Sequence, residues 1–521
     1  MAGRSRAEPR LESVSAPKAL GNSSDRAARR SHGAWYTPPA LVDFLVEVAE
    51  RLLPAAPLRI LDPSCGDGRV LAACQRRWPN AELHGWDIDP AALTEAATAV
   101  IGARLEHRDV LGSASPSGDS SAFDLVIGNP PFLGQLRGDT VLSEARARAL
   151  RVRFPGAIGA YTDTAAMFLR IAADLAATVV LVQPVSTLAS RDAAAIRAHL
   201  SQRLAALWVA NAKMFPDALV EVCVVGLSPA QPPQNGAVPQ ELLRWCGPTF
   251  TALPAGSRLS ARSSADAQSL AADASGTWSP LLPEGFGLPR FIARSSGTLA
   301  DLATATADFR DEYYALSGLV REAQPGDIPV IVSGHIDPAR CLWGKTKVRL
   351  HKQAWTSPAI PGETVLPGRL APWIPRRRVP KVLLATQSRV LEAIADPEGQ
   401  YLPVTPVVSV TPTQVEDVWR VLAVLLSPFA SAWALQQYGG AGFTGGAIKL
   451  AAKQVCRIPL PANLAAWNRA AAMLRETHTD AQADARADAQ ADARREQAIR
   501  AELDAAYGVH LRGWYSTRVR V

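Results

Sequence analysis

The run FDLVIG delivers four residues, Asn129, Pro130, Pro131 and Phe132, that carry the most specific chemical signal in the chain. Two successive prolines lack N–H donors and have a fixed φ, so this backbone is stiff and its carbonyls point outward. An exocyclic aromatic amine is a poor nucleophile because its lone pair is delocalised into the ring. The Asn129 side-chain carbonyl and the Pro130 backbone carbonyl can accept both amine hydrogens, which favours a tetrahedral nitrogen able to attack a sulfonium methyl in line. That chemistry needs neither a metal nor a low-pKa base, since the proton leaves easily once nitrogen is alkylated. Phe132 offers a ring face for a base taken out of its duplex. The plainer alternative is a Pro-Pro strand terminator followed by a core Phe.

A second set of residues suits a nucleoside-type ligand. LRILDPSCGDGRVL places Gly66 and Gly68 in a turn between a strand and a helix, where glycine lets the backbone approach a ligand closely. The pattern is D-P-x-C-G-x-G and not G-x-G-x-x-G, and Asp62 at its head suits a positive ammonium and sulfonium better than a pyrophosphate. Asp87 ends the next apolar run, in GWDID, where a carboxylate can accept ribose hydroxyls and Ile88 can pack on an adenine face. Asp109, in HRDVL, closes the third run and can accept from an adenine amino group.

Strands alternating with helices must position these groups. Leu41, Phe44, Leu45, Val48, Ala49 and Leu52 share one helical face. The runs ending at Asp62, Asp87, Asp109 and Asn129, continued by ATVVLVQP and VEVCVVGLSP to about Ser228, predict a doubly wound, mostly parallel α/β sheet. From about Trp245 to Pro461 the chain is dense in Pro, Gly and Trp with short β-like runs, which predicts a second, irregular α+β domain. Residues 464–507 look helical, and the near-repeat DAQADARA/DAQADARR has no apolar seam, so a solvated helix is expected. The expected organisation is therefore a disordered basic tail over 1–33, a catalytic domain over 34–240, a second domain over 241–463 and a helical C-terminal segment over 464–521.

AWYTPP, DPSCGDG, DID, RDVL and NPPF, in that order, resemble the adenine-N6 DNA methyltransferases of the gamma arrangement. In these the cofactor half comes first, the catalytic half second and a target-recognition domain last. The resemblance is good over about residues 34–228 and looser beyond, where GGAIKLAAKQVCRIPLP and IRAELDAAYGV look like the end of such recognition domains. It implies S-adenosylmethionine as cofactor and a Rossmann-like methyltransferase sheet followed by an α+β DNA-recognition domain. Thr37, Asp62, Gly66 and Gly68 would then line the methionine end, Asp87 and Ile88 the ribose and adenine, and Asp109 the adenine amino group. Phe215 matches the second aromatic that stacks the flipped base, with a core Phe as the alternative. The family's last catalytic position is more often Tyr, and Phe132 keeps the ring without the hydroxyl. The Asn at position 129 and the absence of a Pro-Cys pair point to adenine N6 over cytosine N4 or C5.

Charge suggests how double-stranded DNA would be held. Residues 340–389 contain eleven Lys/Arg and one acid, a local balance of +10, while the whole 521-residue chain is +7, so the remainder is −3. This concentration is the footprint expected of a duplex-binding surface, with Arg376, Arg377, Arg378, Lys381, Lys345 and Lys347 as the candidate contacts. Trp343 and Trp355 lie among them, tryptophan being more often core than base contact. Arg146, Arg148, Arg151 and Arg153 could hold backbone beside the flipped base or form a solvated helix face. The six cysteines are far apart without a C-x-x-C pair, giving neither a zinc site nor a disulfide framework. No apolar run approaches a membrane span and the N-terminus lacks a secretory signal, so a cytoplasmic, nucleoid-associated enzyme without a metal is expected. A separate restriction or phage-defence partner is compatible with the reading, and no nuclease motif is visible. Protein-glutamine or ribosomal-RNA base methylation remains the alternative, as does a catalytically dead DNA-binding scaffold.

Overall fold

The computed structural model describes residues 37–519 other than 113–122, 133–143, 157, 159–161, 216–220, 230–240, 258–275, 290, 308–309, 363–367, 369, 443–445 and 484–488. The tail expected over 1–33 lies outside the described residues.

Helix α1 (Pro39–Leu52) begins on a proline, which loses no intrahelical bond in the first turn. It buries Leu41, Phe44, Leu45, Val48 and Ala49, the face that the periodicity predicts. Strands β1 (Arg59–Asp62), β2 (Glu82–Asp87), β3 (Arg104–His107) and β4 (Phe123–Gly128) follow, with α2 (Arg69–Arg77) and α3 (Pro90–Ala99) as the first two crossovers. Helices α4 (Glu144–Arg153) and α5 (Thr164–Leu175) lead into β5 (Ala176–Pro184). Next come α6 (Ala194–Leu200), β6 (Leu204–Val209), β7 (Val222–Leu227), β8 (Glu241–Cys246) and β9 (Thr251–Ser257).

All nine strands form one sheet in the order β3-β2-β1-β4-β5-β7-β6-β8-β9. The first five are parallel, and β7 runs antiparallel to both β5 and β6. Chain order reverses between β1 and β4, and ligands bind at the carboxyl ends of strands beside such a reversal. Asp62 of β1 lies opposite Gly85, and Asp87 of β2 opposite His107, so the acidic strand ends share one edge of the sheet. This is a Rossmann-like α/β core.

The sheet corrects the expected boundary at 240, because β8 pairs with β6 and β9 with β8, carrying the first layer to Ser257. Beyond it, Ala303–Ala307, Val407–Pro412, Lys381–Ala385 and Ala393–Asp396 form a four-stranded antiparallel sheet, adjacent in that order. Helices Val418–Leu425 and Pro428–Tyr438 pack into a core that runs without a break from Leu61, Val179 and Leu207 of the first sheet to Phe429, Leu503 and Tyr507. A smaller unit has its own core, with Val330, Leu350, Leu370, Trp373 and Leu402 at its centre.

The near-repeat expected to be a solvated helix falls partly, at 484–488, outside the described residues, and the helical stretches flanking it carry an apolar seam. Leu464–Ala483 and Ala489–Tyr507 bury Trp467, Ala470, Leu474, Ile499, Leu503 and Tyr507 in the shared core. The seam lies in the stretches flanking the repeat, while Arg494 and Arg495 within or beside it are exposed. No single described helix is long and apolar enough to cross a membrane; the bent pair Val415–Leu425 and Pro428–Tyr438 passes by composition, and its second helix is buried throughout.

Candidate active site

The loop after β1 is held in shape by its neighbours. Gly66 and Gly68 have φ of 53° and 80°, the left-handed region open to glycine. At Gly68 a Cβ would also sit 3.0 Å from the Ala96 backbone on α3, so glycine is required for close helix packing. Cys65 N–H donates to the Trp86 carbonyl at 2.9 Å, and Gly66 N–H donates to the Asp87 carboxylate at 2.8 Å. That carboxylate also accepts from Asp89 N–H at 2.9 Å, so Asp87 ties the first two strand ends together. Ile88 beside it is 49% exposed, a large apolar side chain left open at the strand end. His107 Nε2 lies 3.0 Å from the Ile88 carbonyl and braces this turn.

Asp62 is buried at the end of β1 and accepts from Ser64 N–H at 3.1 Å. Burial, reinforced by the Asp87 and Asp67 carboxylates, pushes its carboxyl up to about 8. A Cβ on Gly128 would fall 2.4 Å from the Asp62 carboxylate, so only glycine fits immediately before Asn129. Asp109 accepts from Leu111 N–H at 3.2 Å and is ion-paired with Arg146 of α4. Arg146, offered as a backbone contact, is thus drawn to the cofactor side of the sheet.

The tetrapeptide Asn129-Pro130-Pro131-Phe132 is pinned twice. Asn129 Nδ2 donates to the Thr37 hydroxyl at 3.0 Å, and the buried Thr164 hydroxyl donates to the Pro131 carbonyl at 2.7 Å. The Thr37 carbonyl in turn accepts from Arg69 Nη1 at 2.8 Å, and Arg69 pairs with Asp67 in the cofactor loop. One short relay therefore joins the loop after β1, the segment ahead of α1 and the end of β4. Phe132 is half-buried against a core cluster that also contains Phe215. Phe215 is 4% exposed, packed as a core side chain, which accords with the alternative of a core Phe at that position.

Arg69, Gly128, Thr164 and the observed role of Arg146 were not among the expectations from sequence. Gly128 and Arg69 sit directly beside quoted motifs and could have been found there. Thr164 lies 33 residues beyond Pro131, with no local signal.

In the second half, Arg376, Arg378, Lys345 and Lys347 are exposed and Arg377 is partly so. Lys381 is not a DNA contact. It is fully buried and ion-paired with Asp396, whose carboxylate also accepts from Gln400 N–H at 2.8 Å. Trp343 and Trp355 donate to the Pro358 and Leu350 carbonyls at 2.9 and 3.1 Å, as structural residues do. Among the described residues no group of His, Cys, Asp or Glu could hold a metal ion.

The donor set fits S-adenosylmethionine: acidic side chains at three strand ends for a cationic ligand, a glycine loop beside them, and an exposed Ile88 for a ring face. The fold and site together define a methyltransferase core. A family model described as the methyltransferase small domain matches residues 43–151. The Type II methyltransferase M.CvrRI of Paramecium bursaria Chlorella virus XZ-6E is 31% identical over 110 residues, 21% of this chain and 27% of its own length. The Type II methyltransferase M.TthHB8I of Thermus thermophilus is 36% identical over 109 residues, 20% of this chain and 22% of its own. A release factor glutamine methyltransferase of Koribacter versatilis is 28% identical over 110 residues, covering 20% and 37%. The matched segments thus span well under half of each relative. The chain carries an S-adenosylmethionine-binding methyltransferase domain similar in sequence to those of Type II methyltransferases.

Proposed function

We propose that this enzyme transfers the methyl group of S-adenosylmethionine to N6 of an adenine flipped out of duplex DNA, in a restriction-modification or phage-defence setting. The observation that carries the reading is the double pinning of Asn129-Pro130-Pro131-Phe132, through Thr37 and Thr164, at the strand end next to the cofactor loop. When bound, the cofactor supplies an electrophilic methyl on a positive sulfonium. Asp62, Gly66 and Gly68 hold its methionine end, Asp87 and Ile88 the nucleoside, and Asp109 the adenine amino group. Thr37 engages the Asn129 amide nitrogen, which turns the side-chain carbonyl oxygen toward the target. That oxygen and the Pro130 carbonyl accept the two amine hydrogens and direct the nitrogen lone pair at the methyl. Phe132 stacks the flipped base, and Arg376, Arg377, Arg378, Lys345 and Lys347 hold the DNA backbone.

Protein-glutamine methylation is the second reading, favoured by the likeness to a release factor glutamine methyltransferase, since a planar amide suits the same carbonyl clamp. Against it stands the concentration of basic residues over 340–389. Labelled-methyl transfer offered to duplex DNA, ribosomal RNA and protein decides between them. Nucleosides from the modified duplex, separated by mass, should show N6-methyladenine; methylcytosine alone would overturn the choice of base.

A further inference from the structure

Val348–Leu350 and Gln353–Trp355 form an antiparallel hairpin with Leu350 opposite Gln353, leaving His351 and Lys352 as a two-residue loop. Their φ angles are 51° and 67°. Two positive φ values in a two-residue loop are the type I′ pattern, which Asn-Gly adopts most readily because glycine has no Cβ to crowd. Here both positions are occupied by long side chains in the left-handed region, a strain that persists only where the surroundings enforce it.

The surroundings do so. The Tyr313 hydroxyl accepts from His351 N–H at 3.2 Å, and the His351 ring folds back on the Tyr313 ring with centroids 4.4 Å apart. Trp355 closes the base of the loop through its indole bond to Leu350. Val348 and Leu350 are buried in the same core as Leu370, Trp373 and Ile374 of the helix Leu370–Arg377. Side chains alternate along a strand, so Arg349 faces outward, and Arg349, Lys352, Lys345 and Lys347 are all exposed. From 345 to 352 the chain has four Lys/Arg and no acid. His351 is thus an anchor, and the strain it shares leaves Lys352 at a rigid, basic tip.

We propose that this hairpin is the sequence-reading finger of the enzyme: it enters a groove of duplex DNA, and Lys352 with Arg349 reads base edges there. A two-stranded β-ribbon fits the major groove, and Lys or Arg donating to guanine O6 and N7 is the commonest specific contact. Lys345 and Lys347, with Arg376 and Arg378 on the same small unit, grip phosphates. The inference rests on the DNA reading above.

Lys352→Gly tests it without endangering the fold, since glycine suits the left-handed position better than lysine. Arg349→Ala is the companion, an exposed strand residue opposite Ala354. Each full-length variant methylates a duplex library of random sequence, and modified sites are mapped by sequencing. Expected are an unchanged or raised unfolding temperature, near-normal binding to non-specific duplex, and a roughly 5- to 100-fold loss of discrimination at one or two positions of the site. If the wild type modifies a defined duplex site and both variants keep that site and rate, the finger assignment alone is wrong. If the wild type modifies only RNA or protein, the DNA reading fails and this inference with it.

Discussion

The Asn129 side-chain amide donates to the Thr37 hydroxyl at 3.0 Å, so the end of β4 and the segment before α1 form one unit. Thr37→Val should lower the methyl-transfer rate about tenfold, the value of one oriented hydrogen bond, with cofactor affinity little changed. Thr37→Ser should restore it. Single-turnover kinetics check this, and a valine variant as fast as the wild type would show that the Thr37 hydroxyl does not matter.

Asn129→Ala should reduce transfer by a hundredfold or more, on the order of what removing one transition-state contact costs, while cofactor binding stays near normal. Asp87→Ala should do the reverse, because its carboxylate holds the Gly66 loop in which the cofactor is proposed to sit. Titration calorimetry of both variants separates the roles; equal losses of cofactor affinity would contradict them.

Asp62 makes stability fall with pH in the cofactor-free enzyme. Its carboxyl is raised from the ordinary 3.8 to about 8, so folding favours the protonated form. The resulting stability is complete below about pH 4 and is lost as pH rises through about 8. Thermal unfolding between pH 5 and 9 should show this decline, Asp62→Asn should flatten it, and saturating S-adenosylmethionine should oppose it by setting a cation beside the carboxylate. A wild-type slope identical to that of the variant would remove Asp62 as the cause.

Phe132→Ala should weaken productive binding by roughly 1–3 kcal/mol, the stacking of one base on an aromatic ring, and Phe132→Tyr should remain active. Full activity in the alanine variant would make Phe132 a packing residue only.

Reversing Arg376, Arg377 and Arg378 to Glu should weaken DNA binding across all sequences and flatten its salt dependence. Lys381→Ala should behave differently, destabilising the fold by about 3–5 kcal/mol because Asp396 is left buried and unpaired, before any effect on DNA. Denaturant melts and filter-binding titrations distinguish the two.

The cofactor and catalytic loops could be read from sequence because each is a contiguous motif at a strand end, where a few neighbouring residues set both the turn and the chemistry. Thr164 could not, since its bond to Pro131 exists only after α5 docks on the sheet. Lys381 was misassigned because counting charge ignores burial: it opens KVLLA, a strand buried along its whole length. The boundary near 240 came from a shift in composition, yet ELLRWC and TALPAGS are short runs that gain their meaning from pairing, the first with β6 and the second with the first. The seam of the C-terminal helices was hidden for a similar reason, with Trp467 and Leu503 widely spaced among alanines.

Ala303–Ala307 and Lys381–Ala385 both run antiparallel to Val407–Pro412, so they are parallel to each other and the chain between them is a crossover. The basic hairpin and the helix bearing Arg376 ride on that excursion, with a core separate from the one that supports Asn129. Substitutions in the excursion can therefore accumulate without disturbing the machinery at β1 and β4. On the DNA reading proposed above, a lineage would acquire a new target site by drift within a single loop of its topology while inheriting its chemistry intact.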